Sequence, residues 1–502
     1  MLINQAPDRT GYEEVQRILE NDKRGVTKKS ADDEPSLTSA QVADRLNRSD
    51  KRWVDSNHNG RIELTYEFST AEPNEFEKLK SDTAAAKLEK IVPMSLRQKE
   101  YVRAAQQEYA DVANVTFTEK TGGGGEGHLT HRGYSAGDQA TSVRGFAYYP
   151  DPKDPVHQGS LWMRNLDQTS KFGNWADDDK STHGDNYWRS TLIHELGHSL
   201  GLEHSGSDEN EKTQIPDYAE NWDNYTVMSY NTPLLSDAED TVMPVSLMMD
   251  DMQAVQSKYG ANYSTRKGDT TYGFNSNTDR DHYSLKTAED KPLFAVWDGD
   301  GWDTLDFSGF SQAQTINLNA GSFSSVGGLR NNVGIANGVT IEEARGGKGK
   351  NTLIGNDAFN VLRGGPDSDI LYGGSGGAQM WGGKGGNTFV FDTTSSGKPN
   401  WVMDFTSGKD KLDFSGLRQQ LGPLKFCSKL PLDHSKPQDP LNPTYISKPG
   451  DVLVSYDREF QRTLFRVDTK GDGRMDMYID VQGYASGQVI YPTPQRLDMV
   501  CT

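Results

Sequence analysis

At 502 residues the chain is too long for one ordinary hydrophobic core, so about two to four domains are expected. Its 72 acidic and 53 basic residues give a formal net charge of -19, which sets it against nucleic acid or an anionic membrane as principal partner. Hydrophobic residues make up 34% and mean hydropathy is -0.76, yet aromatics reach 10%, a balance that fits folded cores rather than disorder.

Residues 11–50 are polar with helical spacing of Tyr12, Val15, Ile18 and Leu19, which predicts an N-terminal helix and its connections. Asp55 to Ile62 mimics the opening of an EF-hand loop, but Tyr66 stands where that loop needs a bidentate carboxylate. A helix is predicted over 95–109, then a strand at Val115–Phe117, a Gly-rich loop at 122–127 and a further strand at 145–149. A long helix follows from Trp188 to Leu202, then a tight turn at 227–230 and a helix around 247–259.

Near residue 260 the texture changes: glycine and aspartate become frequent and helical periodicity disappears. Five nine-residue units run from Gly346 to Val390, with Leu353, Leu362, Leu371, Met380 and Phe389 at their eighth positions. So short a repeat with one large apolar residue per unit predicts a parallel β-roll, whose stacked apolar residues form the core.

The chemistry is concentrated in His194-Glu195-Leu196-Gly197-His198-Ser199-Leu200-Gly201-Leu202-Glu203-His204. Histidines four apart share one helix face and can grip one metal ion. Glu195 then sits beside that metal, placed to take a proton from water. Gly201 lets the chain leave the helix so that His204 swings round as third ligand. Three neutral imidazoles leave one zinc position open, as catalysis requires.

This pattern, followed by Thr226-Val227-Met228-Ser229-Tyr230, is the metzincin signature with its Met-turn. The chain resembles the serralysins over most of its length. The stretches at 110–119, 259–281, 297–310 and 338–349 match a catalytic strand, the domain junction and two calcium-binding segments of that family. The resemblance implies an α+β catalytic domain, a twisted sheet plus a long active-site helix, at 1–258. An all-β parallel β-roll/β-sandwich domain follows at 259–502, with the repeats at 346–390 and a C-terminal secretion region. Residues before about Thr10 are a candidate propeptide. It further implies a secreted, virulence-type zinc endopeptidase. Met228 would floor the metal, and Tyr230 would be a movable metal ligand and hydrogen-bond donor. The strand of Phe146, Ala147 and Tyr148 would be the edge that pairs with substrate.

Calcium ligands are likewise implied by the resemblance. Carbonyls of Arg266, Gly268, Thr270 and Asp300 would join carboxylates of Asp298 and Asp303. Gly301, Asp303, Thr340 and Glu342 would form a second site. Within the roll, Gly347, Gly349 and Asn351, then Gly365, Asp367 and Asp369, correspond to repeat positions that bind calcium, with Asp404 and Asp410 as a further pair. The sixth repeat position reads Asn351, Asn360, Asp369, Ala378 and Asn387, so only Asp369 keeps the carboxylate. Each lost charge weakens a site, and several structural calcium ions, but fewer than the family norm, are expected beside one catalytic zinc.

The N-terminus lacks the basic-then-apolar order of a Sec signal peptide, and no apolar run approaches the roughly 20 residues of a membrane span. By resemblance the protein leaves a Gram-negative cell through a type I exporter that reads the C-terminus. Asp498-Met499-Val500 fits such a signal, and Cys501-Thr502 extends it. Peptide or protein substrates, a proteinaceous inhibitor from the producing cell and a monomeric state complete the expectation. The two cysteines, Cys427 and Cys501, are either separate thiols or one bridge, and spacing does not choose between them. The competing reading is a non-catalytic, calcium-dependent adhesion module that has kept a protease shape. Against it stand the intact Glu195, His204 and Tyr230.

Overall fold

The first half of the chain is organised by one sheet of six strands: β1 (Ile62–Phe68), β2 (Leu88–Val92), β3 (Val115–Glu119), β4 (Gly127–Ala136), β5 (Gly145–Ala147) and β6 (Leu161–Arg164). Their spatial order is β3-β1-β4-β6-β5, with β2 antiparallel to β4. β1 runs parallel to β3 and β4, β6 parallel to β4, and β5 antiparallel to β6 at the edge. The computed structural model describes residues 9–25, 34–73, 88–122, 124–136, 143–164, 187–207, 215–236, 242–430, 432–436, 443–483, 485 and 489–490.

Helices α2 (Ser39–Leu46), α3 (Leu96–Val112), α4 (Tyr187–Ser199) and α5 (Met249–Tyr259) share one core with this sheet, whereas the first helix, α1 (Gly11–Asp22), lies elsewhere. Thr10, Thr38 and Ser95 each start a helix with a capping box, in which the cap hydroxyl and the N3 side chain satisfy amides the helix itself cannot. Tyr109 of α3 is wholly buried and donates to the Ile193 carbonyl of α4 at 3.0 Å. The two central helices are thereby fixed to each other as well as packed.

Beyond Tyr259 the regular structure is short strands joined by turns, with a short α-helix at Ser415–Leu421. Repeat units alternate between two parallel sheets, so Leu353, Leu371 and Phe389 stack in register in one sheet, and Leu362 and Met380 in the other. All five are fully buried, which makes the eighth repeat position the spine of this core. The roll is built as the repeat predicts.

Chain order and packing differ at α1. Tyr12, Val15 and Ile18 bury their apolar face against Ile354, Tyr372 and Val390 of the roll, and the Tyr12 amide donates to Asp413 at 2.9 Å. A division at residue 258 places this helix in the first domain by sequence, whereas its core contacts lie in the second. An amphipathic pattern specifies a buried face without naming what covers it.

Charge pairs tie the two halves together. Arg189 of α4 holds Asp281 through both guanidinium nitrogens, at 2.5 and 2.7 Å. Asp111 of α3 accepts from Arg266 at 3.0 Å and from Arg280 at 2.9 Å. Asp111 and Arg266 are both shielded from solvent, and removing one of them costs about 3–5 kcal/mol, because the other is left as a buried charge.

Candidate metal centre and active site

α4 ends in a Schellman turn: Leu202 N donates to Gly197 O and Gly201 N to His198 O, both at 2.9 Å. Gly201 stands at φ +86°, and a Cβ there would lie 2.0 Å from the Lys51 carbonyl oxygen. Only glycine fits, and the turn it makes carries His204 back beneath the helix.

The Nε2 atoms of His194, His198 and His204 converge. They lie 3.1 Å apart for 194–198, 3.2 Å for 194–204 and 3.0 Å for 198–204. His194 Nδ1 donates to Val227 O and His198 Nδ1 to Leu202 O, both at 2.7 Å, which leaves their Nε2 lone pairs facing inward. Lone pairs so placed repel unless a cation lies among them. Bonds of 2.0–2.1 Å to a tetrahedral zinc would set nitrogens roughly 3.3 Å apart. The residues fit zinc. Among the described residues this triad is the one group of three or more His, Cys, Asp or Glu whose ligand atoms lie within 4.8 Å of one another.

Burial keeps the imidazoles neutral. It lowers the pKa of His194, takes His198 down to about 3 and His204 lower still, with neighbouring imidazoles adding to the last two shifts. Burial likewise pushes the Glu195 carboxyl up to about 8, a value a nearby dication would pull back down. A Cβ on Gly145 would lie 3.1 Å from Glu195 Cγ, which puts the edge strand β5 directly beside that carboxyl.

The remaining expected site residues fall as follows. Met228 is fully buried, and its Sδ would be 2.8 Å from a Cβ on Gly197, beneath the turn of helix between the two histidines. Tyr230 Oη is 2.9 Å from His204 Nε2, and the residue is 44% exposed, so its ring can move without opening the core. Phe146 stacks on Trp162 with centroids 5.6 Å apart, Ala147 pairs with Leu161, and Tyr148 packs on His157 just past the strand.

In the second domain, Asp298 and Asp303 are buried together. Thr270 N donates to Asp303 at 2.8 Å and Tyr272 Oη to Asp298 at 2.6 Å, while Asp303 N donates to Glu342 at 2.7 Å. Burial and mutual repulsion push the Asp303 carboxyl up to about 8, with Asp298 and Glu342 also raised. A shared divalent cation would relieve that repulsion. The Gly268 carbonyl lies 2.7 Å from where a Gly301 Cβ would be, while Asp300, Gly301 and Thr340 are exposed. The Arg266 guanidinium is spent on Trp297 O and Asp111.

Within the repeats a different arrangement appears. Asn351 Nδ2 donates to Gly347 O, Gly349 O and Asp369 Oδ1 at 3.1, 2.7 and 2.8 Å. An amide thus occupies the middle of the oxygens that the resemblance assigns to calcium. Asp369 Oδ2 accepts from Gly365 N, Asp404 from the amides of Gly382 and Gly383, and Asp410 from those of Asn387 and Thr406. Asp367 is exposed and accepts from Ser368 N. Cys427 is buried, and its candidate partner Cys501 lies outside the described residues, as does the C-terminal signal.

Sequence reasoning missed the groups that brace the ligands. Asp251 accepts from Thr226 Oγ1, Val227 N and Met248 N, and so fixes the turn whose Val227 carbonyl orients His194. Its signal, an Asp-Asp pair opening α5, is indistinguishable from ordinary acidic residues at a helix N-terminus.

Comparison with known proteins agrees with this geometry. The serralysin C-terminal family of M10 peptidases matches residues 261–490. The metalloprotease AprA of Pseudomonas entomophila is 43% identical over 465 residues, 90% of each chain. The metallopeptidase AprA of Pseudomonas marginalis is 40% identical over 498 residues, 97% of each. A serralysin of Photorhabdus luminescens is 42% identical over 389 residues, 75% of this chain and 76% of its own. Identity at this level across both halves, together with the converged histidines, means that the chain belongs to the serralysin family of secreted metalloendopeptidases.

Proposed function

We propose that the protein cuts peptide bonds of protein substrates with Glu195 as general base and acid, and that calcium supports the second domain. What supports this reading is the convergence of three neutral imidazole nitrogens beside one buried carboxyl at an open sheet edge.

His194, His198 and His204 would hold a zinc ion, which when bound polarises a carbonyl oxygen and acidifies water. Substrate extends along β5 and pairs with its free edge, bringing a peptide carbonyl over Glu195. Glu195 takes the proton of the attacking water as oxygen adds to the carbonyl carbon. It then delivers that proton to the amide nitrogen as the C–N bond breaks. Tyr230 leaves His204 and donates a hydrogen bond to the carbonyl oxygen as that atom gains charge. Met228 supports the ligands from below. No residue is acylated, so serine and thiol reagents leave activity intact and chelators abolish it.

Asp298, Asp303, Glu342 and the neighbouring carbonyls would hold calcium, which when bound would neutralise charges that otherwise repel. With millimolar calcium outside the cell and little inside, the roll matures after export. Passage through a type I exporter, and restraint by a protein inhibitor of the producing cell, belong to the same reading.

The test is casein hydrolysis by the purified protein with zinc content measured in parallel, and Glu195→Ala as control. About one zinc per chain, casein cleavage, and a variant that keeps zinc but loses activity are the expected results. Zinc binding without cleavage of any peptide would leave the adhesion-module reading in its place.

A further inference from the structure

Every backbone carbonyl from Ser199 to Leu202 accepts a side-chain donor. Ser199 O accepts from Trp53 Nε1 at 3.0 Å, Leu200 O from Tyr259 Oη at 2.7 Å and Gly201 O from Lys258 Nζ at 2.9 Å. Leu202 O accepts from His198 itself at 2.7 Å, and two residues on, His204 O accepts from Arg48 Nη1 at 2.6 Å. The last carbonyls of a helix have no i+4 partner and need another donor. Here the turn itself takes up those of Gly197 and His198, while Ser199, Leu200 and Gly201 give theirs to side chains far away in sequence, all between two of the three histidines.

Lys258 has the most demanding place among these donors. Its ammonium bridges Gly201 O and Lys51 O, each at 2.9 Å, and so locks the turn onto the 48–53 segment. It also lies at the negative end of α4, where a cation is favoured. Burial, followed by the charge of Arg52, pushes the Lys258 pKa down to about 8, so the group is held there at a desolvation cost. Lys258 lies in the last turn of α5, the helix that carries Asp251 in its first. One helix therefore touches both backbone stretches that aim the ligands: Asp251 fixes Val227, which orients His194, and Lys258 fixes Gly201, next to the Leu202 carbonyl that orients His198.

We propose that Lys258 is a positioning residue for His198 and His204, holding the Gly201 turn so that their Nε2 atoms stay converged with that of His194. This role rests on the zinc-protease reading of the site. Without the ammonium the turn keeps its Trp53, Tyr259 and Arg48 donors but loses its tie to the Lys51 carbonyl, so the Leu202 carbonyl holds the His198 ring, and the turn holds His204, less firmly. Groups that orient metal ligands from behind typically change affinity by about 10–100-fold when removed.

The test compares wild type, Lys258→Met and Lys258→Arg in the full-length, calcium-loaded protein. Zinc loss into excess chelator is followed by absorbance, and the d–d spectrum is recorded after cobalt substitution. K258M is expected to release zinc about tenfold faster and to shift the cobalt bands, with KM for a peptide substrate unchanged. K258R, which keeps charge and donors, is expected to recover most of the retention. Unchanged zinc loss and cobalt spectrum in K258M would overturn this inference alone. Faster loss matched by a general fall in melting temperature, with no recovery in K258R, would overturn it in favour of a purely structural role. A wild-type chain that takes up no zinc would overturn the protease reading and this inference with it.

Discussion

Val227 donates its amide proton to Asp251 Oδ2 at 2.8 Å, and the Val227 carbonyl accepts the Nδ1 proton of His194 at 2.7 Å. A carboxyl on α5 is in this way one residue removed from a histidine of the converged triad. Asp251 also accepts from Thr226 Oγ1 at 2.6 Å and Met248 N at 3.0 Å, so Asp251→Ala leaves three donors unpaired in the core. A loss on the order of 3 kcal/mol of stability is expected, together with weaker zinc binding. Chemical denaturation and zinc titration of the variant check both. Wild-type stability and zinc affinity in D251A would contradict the bracing role.

Tyr230→Phe removes only the hydroxyl beside His204. If that group donates to the substrate carbonyl as charge develops, kcat falls about 10²-fold while KM and zinc content stay near wild type. A rise in KM with kcat unchanged would place Tyr230 in substrate binding instead.

The histidine triad is legible in the sequence because one helix and one turn carry all three, and helical geometry converts a spacing of four into a shared face. The roll is legible because its repeat is periodic. The braces are not. Trp53, Arg48 and Lys258 reach the turn before His204 from distant parts of the chain, and a lone lysine near a helix end reads as a solvated residue. The placement of α1 on the roll is illegible for a similar reason, since its pattern of Tyr12, Val15 and Ile18 suits any apolar surface. The buried acidic group is readable only through family resemblance: Asp298 and Asp303, with Glu342 accepting from the Asp303 amide, come together through a fold that no local pattern encodes.

His131 of β4 is fully buried, with Nε2 3.0 Å from Gln106 Nε2 and, among the described residues, no hydrogen-bond partner on Nδ1. Burial takes its pKa down to about 3, with His128 and Arg132 adding to the shift. An unfolded histidine binds its proton near pH 6.5, so between about pH 6.5 and 3 the unfolded state holds one more proton than the native state. Stability therefore falls as pH drops through that window, by about 1.4 kcal/mol per unit from this residue. The double variant Gln106→Leu/His131→Leu removes both polar groups, so its stability should depend less steeply on pH. Urea unfolding between about pH 6 and 4.5, inside that window, measures the slope. Equal slopes in the two proteins would contradict the assignment.

Asn351 offers a way to test whether hydrogen bonds stand in for a bound ion at one turn of the roll. Its amide nitrogen donates to Gly347 O, Gly349 O and Asp369 Oδ1, doing with hydrogen bonds what a cation would do by coordination. Burial pushes the Asp369 carboxyl up to about 6, which eases its place opposite an uncharged partner. Asn351→Asp turns the donor into a second carboxylate facing Asp369. Without calcium the two repel, and the variant melts below wild type in a chelating buffer. With calcium the same oxygens form a site of higher charge, and N351D is expected to bind about one more ion per chain and to gain more in melting temperature from added calcium than wild type does. Atomic emission after dialysis gives the count, and melting with and without chelator gives the gain. An unchanged calcium count in N351D would mean that the amide is not standing in for an ion, and that this turn lacks the geometry to hold one.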